Sequence, residues 1–217
     1  MVIMVKYSMD NDFHTYIEHL KQFTRPDSDV KGAVVMNCNP FTNGHRYLIE
    51  AALAEVDLLY LFLLEEDKSF FSFEDRLRLV KEGTADLNNI VVIPGGNYII
   101  SSITFPGYFT KEDNANQSVD PTVDVQIFGQ FIAPALGISI RFAGTEPTCQ
   151  TTRQYNETMR NLLPIYNLKF KEFERLMTEE LPVSASIVRD YIKQKNFTPI
   201  KSLVPESTHS FIEERYG

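Results

Sequence analysis

The side chains best suited to chemistry on a phosphate group lie in a short polar segment, residues 37–45 (NCNPFTNGH). It follows an apolar run and precedes a helical spacing, so it ends at a predicted helix start, where unpaired backbone N–H groups bind anions. Thr42 adds a hydroxyl, Asn39 an amide, and His45 a donor to a phosphate that gains negative charge. Gly44 lets the backbone approach a ligand closely. The segment predicts an anion site; the alternative is an ordinary polar loop with a capping Thr and a surface His.

A second candidate lies about 140 residues further on, in residues 183–189 (VSASIVR). Ser184 is the predicted N-cap of a helix, and Ser186 adds a second hydroxyl beside the helix start. Arg189 lies on the same helix face as Ser186, and its guanidinium can hold phosphate oxygens with two parallel hydrogen bonds. Capped helices with an early Arg are common, so this segment points to phosphate binding only in combination with the first.

Alternating strands and helices must bring these two segments together. Apolar runs and alternating patterns predict strands at 32–38, 57–64, 89–94, 138–144 and 167–175. Helical spacing predicts helices at 11–24, 44–55, 72–87, 123–137, 152–163 and 184–196. This order indicates an α/β Rossmann-like fold, a doubly wound and mainly parallel sheet. Because ligands bind at the carboxyl ends of such strands, near the switch in strand order, the residues after the first and fourth strands are the place to look for a site.

Composition limits the classes of function. A net charge of -8 over 217 residues argues against a general nucleic-acid binder but leaves room for a nucleotide site. Cys38 and Cys149 have no partner at metal-ligand spacing and are expected to be reduced, partly buried thiols, so no metal-binding residue is predicted.

The apolar N-terminal stretch reaches Asp10 too soon for a signal peptide, and residues 57–64 are too few to span a bilayer. We expect a cytoplasmic protein with no membrane contact, in which residues 1–29 form a helical arm and residues 30–217 one catalytic domain.

The two segments match a pair of known signatures. Residues 42–45 (TNGH) resemble the H/T-x-G-H signature of the nucleotidyltransferase superfamily, and residues 183–189 resemble its I-S-x-[ST]-x-[IV]-R signature, with Val in place of the first Ile. The superfamily includes the pantetheine-phosphate and nicotinamide-mononucleotide adenylyltransferases. The resemblance implies a nucleotidyltransferase-type sheet and four catalytic residues: Thr42, His45, Ser186 and Arg189.

A finer resemblance, from about residue 20 to the end, is to the citrate lyase ligase family. It is carried by residues 35–50, 65–87, 94–112, 127–147, 151–164 and 183–192. It implies that acetate attacks ATP, with Mg²⁺ bound to the phosphates, to give acetyl-adenylate. The acetyl group then passes to the prosthetic-group thiol of the citrate lyase acyl carrier subunit. Full-length members usually carry a further N-terminal acetyltransferase-like domain, whereas only about 30 residues precede the first predicted strand here.

The resemblance also suggests roles for single residues. The expected nucleotide-binding set is Asn39, Phe41, Gly44, Gly144, Glu146 and Ser184. The expected acceptor set is Lys68, Gly96 and Asn97, with an exposed lysine and a plain turn as the alternatives. Tyr155 and Asn156 are placed either beside the adenine or, for Tyr155, in the core. Arg76 is expected to form an ion pair on a helix surface.

Two other functions remain open at this point. One is an adenylyltransferase whose acceptor is a phosphate, such as phosphopantetheine or nicotinamide mononucleotide; it would need more cations around the pocket than Lys68 alone. The other is a nucleotide-binding module without activity, which the presence of all the signature residues disfavours.

Overall fold

The apolar runs form one parallel sheet in the computed structural model of the protein, which describes residues 11–65, 69–105, 120–147, 149–178 and 182–217. Its five strands are β1 (Lys31–Met36), β2 (Leu58–Leu63), β3 (Ile90–Pro94), β4 (Ile140–Gly144) and β5 (Lys169–Phe173). The strand order is β3-β2-β1-β4-β5, and every neighbouring pair is parallel. The predicted α/β doubly wound sheet is therefore confirmed, and the switch in strand order lies between β1 and β4.

Eight α-helices within the described ranges connect and cover the strands. They are α1 (Asn11–Lys21), α2 (Asn43–Leu53), α3 (Phe73–Gly83), α4 (Thr122–Ile127), α5 (Ala133–Leu136), α6 (Gln150–Leu162), α7 (Ala185–Lys193) and α8 (Glu206–Tyr216). The predicted helix at 123–137 is broken by a π-helical stretch, Phe128–Ile132, between α4 and α5. Helix α8 had no counterpart in the sequence analysis. Among the described residues, none of the helices is long and apolar enough to cross a membrane.

Successive residues of β1 point to opposite faces of the sheet, and each face has its own core. Ala33 packs in a cluster with side chains of α1, α4, α5 and α6, whereas Val34 packs with side chains of α2, α3, α7 and α8. All six residues of β2 are buried, as expected for a central strand covered on both sides. Because helices pack on both faces of the sheet, the ends of its strands are held in place. The loops that carry the candidate site begin at these strand ends.

Arg76 corrects one expectation, because its side chain is fully buried and does not lie on the surface of α3. Its guanidinium donates to the carbonyl oxygens of Leu64 and Asn37 at 2.6 and 3.0 Å, and to that of Phe71 at 3.2 Å. It also donates to the side-chain oxygen of Asn37 at 2.9 Å. Arg76 therefore fastens the ends of β1 and β2 to the segment before α3.

Candidate nucleotide-binding site

Both predicted segments open into one cavity at the switch between β1 and β4. The cavity has a volume of about 660 Å³. Eight of the ten predicted catalytic and nucleotide-binding residues follow β1 or open α7, and seven of these eight line it: Asn39, Thr42, Gly44, His45, Ser184, Ser186 and Arg189. Gly144 and Glu146, after β4, line it as well. The structure thus brings together residues that are about 140 positions apart in the chain.

The start of α2 is closed by a reciprocal pair of hydrogen bonds between Thr42 and His45. The backbone N–H of His45 donates to Thr42 Oγ1 at 3.4 Å, and the backbone N–H of Thr42 donates to His45 Nδ1 at 3.1 Å. Thr42 Oγ1 also lies 2.8 Å from Nδ1. This is a capping box in which His takes the place of the usual Glu or Gln. The two residues that the signature selects are therefore locked onto each other.

The capping box determines where His45 carries its proton. A backbone N–H is always a donor, so Nδ1 must be the acceptor and the neutral ring carries its proton on Nε2. Burial, together with the positive charge of Arg175, lowers the pKa of His45 to about 4. Near neutral pH the ring is therefore neutral, and its Nε2–H is the donor left for a ligand in the cavity.

The loop between β1 and α2 is held in place by side chains from both sides. Asn37 is bound by Arg76, as described above, and its side-chain oxygen also accepts from Ser69 Oγ at 3.2 Å. Asn39 accepts from the backbone N–H of Phe71 at 3.0 Å through its side-chain oxygen. The backbone N–H of Asn43 donates to the carbonyl oxygen of Leu203 at 2.9 Å. The loop is thus set before any ligand binds.

The start of α7 has fewer capping hydrogen bonds than the start of α2. Ser184 is its N-cap, as predicted, and accepts from the backbone N–H of Ser186 at 3.2 Å. Arg189 donates to the Ser186 hydroxyl oxygen at 3.1 Å and to the carbonyl oxygen of Asn39 at 2.6 Å. One arginine therefore ties the second helix start to the loop that carries the first.

Gly44 has a role between the two helix starts that the sequence analysis did not foresee. A Cβ at this position would lie 3.1 Å from the carbonyl oxygen of Val183, the residue before the α7 cap. That contact is tighter than a side-chain carbon normally makes. The absence of a side chain therefore allows α2 and α7 to begin side by side.

The ends of β4 and β5 form the opposite wall. Gly144 leaves open space, because an added Cβ would meet only the carbonyl oxygen of Phe173 at 4.0 Å. Glu146 forms an ion pair with Arg175, and Arg175 also donates to the carbonyl oxygen of Thr145 at 2.9 Å. Arg175 lines the cavity and was missed from the sequence; its place as the last residue of the predicted strand at 167–175 was the available signal.

A buried polar group continues this wall on the face of the sheet that α4 and α6 cover. The Asp124 carboxylate is buried and accepts from Thr104 Oγ1 at 2.7 Å, from the Tyr155 hydroxyl at 2.6 Å and from the backbone N–H of Ile100. Arg141 lies beside it, is 3% exposed and lines the cavity. Sequence reasoning missed Arg141 as well, although a charged residue inside the apolar run 138–144 was a signal.

Tyr155 and Asn156 were expected beside the adenine, with the core as the alternative for Tyr155. Both side chains line the cavity and are almost fully buried. The Asn156 amide nitrogen donates to the carbonyl oxygen of Gly144 at 3.0 Å and to Glu172 at 2.9 Å. Both side chains therefore serve the wall of the cavity and the packing of α6.

Three of the expected residues do not line this cavity, and a fourth lies outside the described residues. Phe41 is fully buried in the core and does not line the cavity; its ring stacks on that of His45 with centroids 5.9 Å apart. Gly96 and Asn97 lie in a 3₁₀ turn after β3, outside the lining that the described residues form; Ile100 lines the cavity instead. Lys68 lies outside the described residues.

Neither cysteine forms a disulfide, and the Cys38 thiol is buried. Both are free, and burial raises the pKa of the Cys38 thiol well above its usual range. Within the part of the chain that the structure describes, no group of three His, Cys, Asp or Glu side chains is arranged to hold a metal ion.

Comparisons with known proteins agree with this geometry. The "[Citrate [pro-3S]-lyase] ligase" of Escherichia coli (strain K12) is 47% identical over 203 residues, which cover 91% of this chain and 57% of that protein. The enzyme of the same name from Klebsiella pneumoniae is 41% identical over 201 residues, covering 91% and 58%. The chain thus spans a little over half the length of these curated relatives.

Solved structures support the fold. A bifunctional NMN adenylyltransferase/ADP ribose pyrophosphatase from Francisella tularensis superposes with a TM-score of 0.52 at 14% identity, over 85% of this chain and 49% of that one. The family described as "Citrate lyase ligase C-terminal domain" matches residues 31–212. Because this family model covers most of the chain and the curated relatives are more than 40% identical to it, the chain belongs to the citrate lyase ligase family, in the part that corresponds to its C-terminal domain.

Proposed function

We propose that this chain adenylates acetate. An acetate oxygen attacks the α-phosphate of ATP, the bond to the β-phosphate oxygen breaks, and acetyl-adenylate and pyrophosphate form. The observation that carries the proposal is the convergence of the α2 and α7 starts on one cavity, in a chain of the citrate lyase ligase family. Two helix starts side by side supply backbone N–H donors and the positive ends of two helix dipoles, which suit a polyphosphate.

Within that cavity we assign the triphosphate to the two helix starts. His45 Nε2–H and the Arg189 guanidinium are donors that strengthen as negative charge grows on the phosphates, so the enzyme acts by positioning and electrostatic stabilisation. Thr42 and Ser186 orient these two donors. Asn39, Gly44 and Ser184 shape the same end of the cavity, and Gly144 and Glu146 lie where ribose and adenine would be placed.

Mg²⁺ is expected to enter with ATP. Since the described residues hold no cluster of three ligands, most of its ligands would be phosphate oxygens and water, as is usual for nucleotide-bound Mg²⁺. The ion would neutralise phosphate charge, and the described side chains that contact the nucleotide would keep the positions given above.

The second step we propose is transfer of the acetyl group to a thiol. The thiolate of the prosthetic group on the citrate lyase acyl carrier subunit attacks the acetyl carbonyl carbon, and AMP leaves with the electrons of the C–O bond. Residues 30–217 are assigned as the catalytic domain and residues 1–29 as an arm. ATP and reduced thiols are both met in the cytoplasm, where we expect the protein to act.

The test is isotope exchange between pyrophosphate and ATP with a panel of acceptors. We expect exchange that requires acetate and is absent with phosphopantetheine or nicotinamide mononucleotide. Exchange with phosphopantetheine and none with acetate would overturn the proposal in favour of a phosphate acceptor. ATP binding with no exchange in any mixture would indicate a binding module.

A further inference from the structure

Arg141 has donors that the folded chain leaves unused. It lies on β4, beside Ala33 of β1 and Phe170 of β5, and its side chain lines the cavity. Although only 3% of the residue is exposed, Nε and Nη1 have no hydrogen-bond partner among the described residues. Buried polar groups are almost always paired, so two open donors on one buried guanidinium call for a ligand.

The described groups around Arg141 stabilise its positive charge, but they do not accept hydrogen bonds from Nε and Nη1. Burial lowers its pKa, while Tyr155 and Asp124 favour the charged form. Asp124 already accepts three hydrogen bonds, one of them from the Tyr155 hydroxyl. Tyr155 also makes a side-chain hydrogen bond with the guanidinium. One face of the guanidinium is covered by the Phe128 ring, 4.5 Å from its central carbon. The N–H groups on Nε and Nη1 are left without an acceptor among the described residues, as an anion-binding guanidinium would be.

The surroundings select the kind of anion. On the face of the sheet that carries Arg141, the lining of the cavity includes the apolar side chains of Val35, Ile100 and Met159. A dianionic phosphate would be poorly matched there, because one guanidinium would face two charges in an apolar wall. A monocarboxylate with a short alkyl group fits better, since its single charge pairs with the guanidinium and its methyl group contacts the apolar side chains.

We propose that Arg141 binds the carboxylate of the acyl substrate and holds it opposite the α-phosphate of ATP. The assignment rests on the proposed adenylation of a carboxylate and adds the residue that recognises it. The triphosphate is held at the two helix starts, so Arg141 selects the second substrate and contributes nothing to the affinity for ATP.

The test compares Arg141→Gln and Arg141→Lys with Arg78→Gln, a matched loss of one cation on the exposed face of α3. Exchange kinetics would give KM for acetate and for ATP, and saturation-transfer NMR would report acetate binding independently of turnover. For Arg141→Gln we expect KM for acetate to rise by at least about 10-fold, KM for ATP to change by less than about 2-fold, and the acetate NMR signal to be lost. Arg141→Lys keeps the charge without the planar fork and should give a smaller rise in KM for acetate. Arg78→Gln should match the wild type.

Different failures can be told apart. If Arg141→Gln does not fold, the test is made with Arg141→Lys. An unchanged KM for acetate in either folded variant would overturn the role given to Arg141 and would leave the proposed function standing. Equal rises in both KM values would mean that Arg141 shapes the cavity without binding the carboxylate, which also overturns the inference. Wild-type protein that supports no exchange with any carboxylate would overturn the proposed function itself.

Discussion

The two helix starts that face the cavity are built differently. At α2, Thr42 is 1% exposed and bonds reciprocally with His45, while at α7 Ser184 makes a single capping bond and Ser186 is exposed. The first start is fixed by its own side chains, whereas the second is tied down mainly by Arg189. A buried ring that is held in place through Nδ1 needs little reorganisation to donate from Nε2 during a reaction, so we expect the larger share of the rate enhancement at α2.

The largest effect is therefore expected at His45. His45→Ala should lower acetate-dependent exchange by about 10²–10³-fold, since a preorganised donor to a developing charge is worth about 2.7–4 kcal/mol. Circular dichroism should show an intact fold. His14→Ala, on the exposed face of α1, is the matched control and should retain full activity. Full activity in His45→Ala would mean that α2 binds nucleotide without contributing to the rate.

The burial of the His45 ring should also make the unfolding free energy of the protein depend on pH. Because the folded-state pKa of His45 is about 4, below the ordinary value of 6.5, the neutral ring contributes stability that is complete above pH 6.5. That contribution falls as pH drops from 6.5 towards 4, and the full separation corresponds to about 3 kcal/mol.

Urea unfolding at pH 7 and pH 4 checks this for wild type and His45→Asn. The difference in unfolding free energy between the two proteins should shrink by about 3 kcal/mol at the lower pH. A difference that stays constant would show that the ring is not held neutral by its surroundings.

A smaller effect is expected at α7. Arg189→Lys keeps the charge but loses the fork that contacts both Asn39 and Ser186, so kcat/KM for ATP should fall by about 10- to 30-fold. Steady-state exchange at varied ATP measures it. Lys193→Gln, at the exposed end of the same helix, serves as the control. A loss as large as that of His45→Ala would make the two helix starts equivalent.

The smallest effects concern the caps themselves. Thr42→Ala should lower the unfolding free energy by about 1–2 kcal/mol, and Ser184→Ala by about 0.5–1 kcal/mol, because only the first cap is buried and reciprocal. Chemical denaturation of both variants measures the two losses side by side. If the Ser184 variant is the less stable one, the contrast drawn between the helix starts is wrong.

Periodicity and apolar runs were sufficient to predict the sheet, because a parallel strand covered on both faces is apolar along its length. They also identified α2 and α7 through Thr42 and Ser184, whose capping role is local. Helix α8 was missed, since Phe211 and Ile212 are almost its only buried apolar side chains. Arg76 was misjudged although it shares a helix face with Leu79, Val80 and Gly83, all buried.

Residues of the candidate site could be predicted from the sequence only where they belong to one short segment. Thr42, His45, Ser186 and Arg189 belong to short motifs, so their positions follow from the motif and the strand order. Arg141 and Arg175 come from neighbouring strands and acquire meaning only when β4 and β5 align beside β1. Gly96 and Asn97 show the opposite case, because they follow a strand end and yet do not line the cavity.

The close approach of Gly44 to Val183 has a consequence for how the protein comes into being. The loop before α2 is also bonded to Leu203, so its final shape depends on residues synthesised about 140 to 160 positions later. A ribosome-bound chain that has released β1, α2 and β2 has most of the sheet's centre but no partner for its anion-binding turn. Nucleotide affinity should therefore arise late and abruptly during synthesis, once α7 and the segment that follows it have emerged.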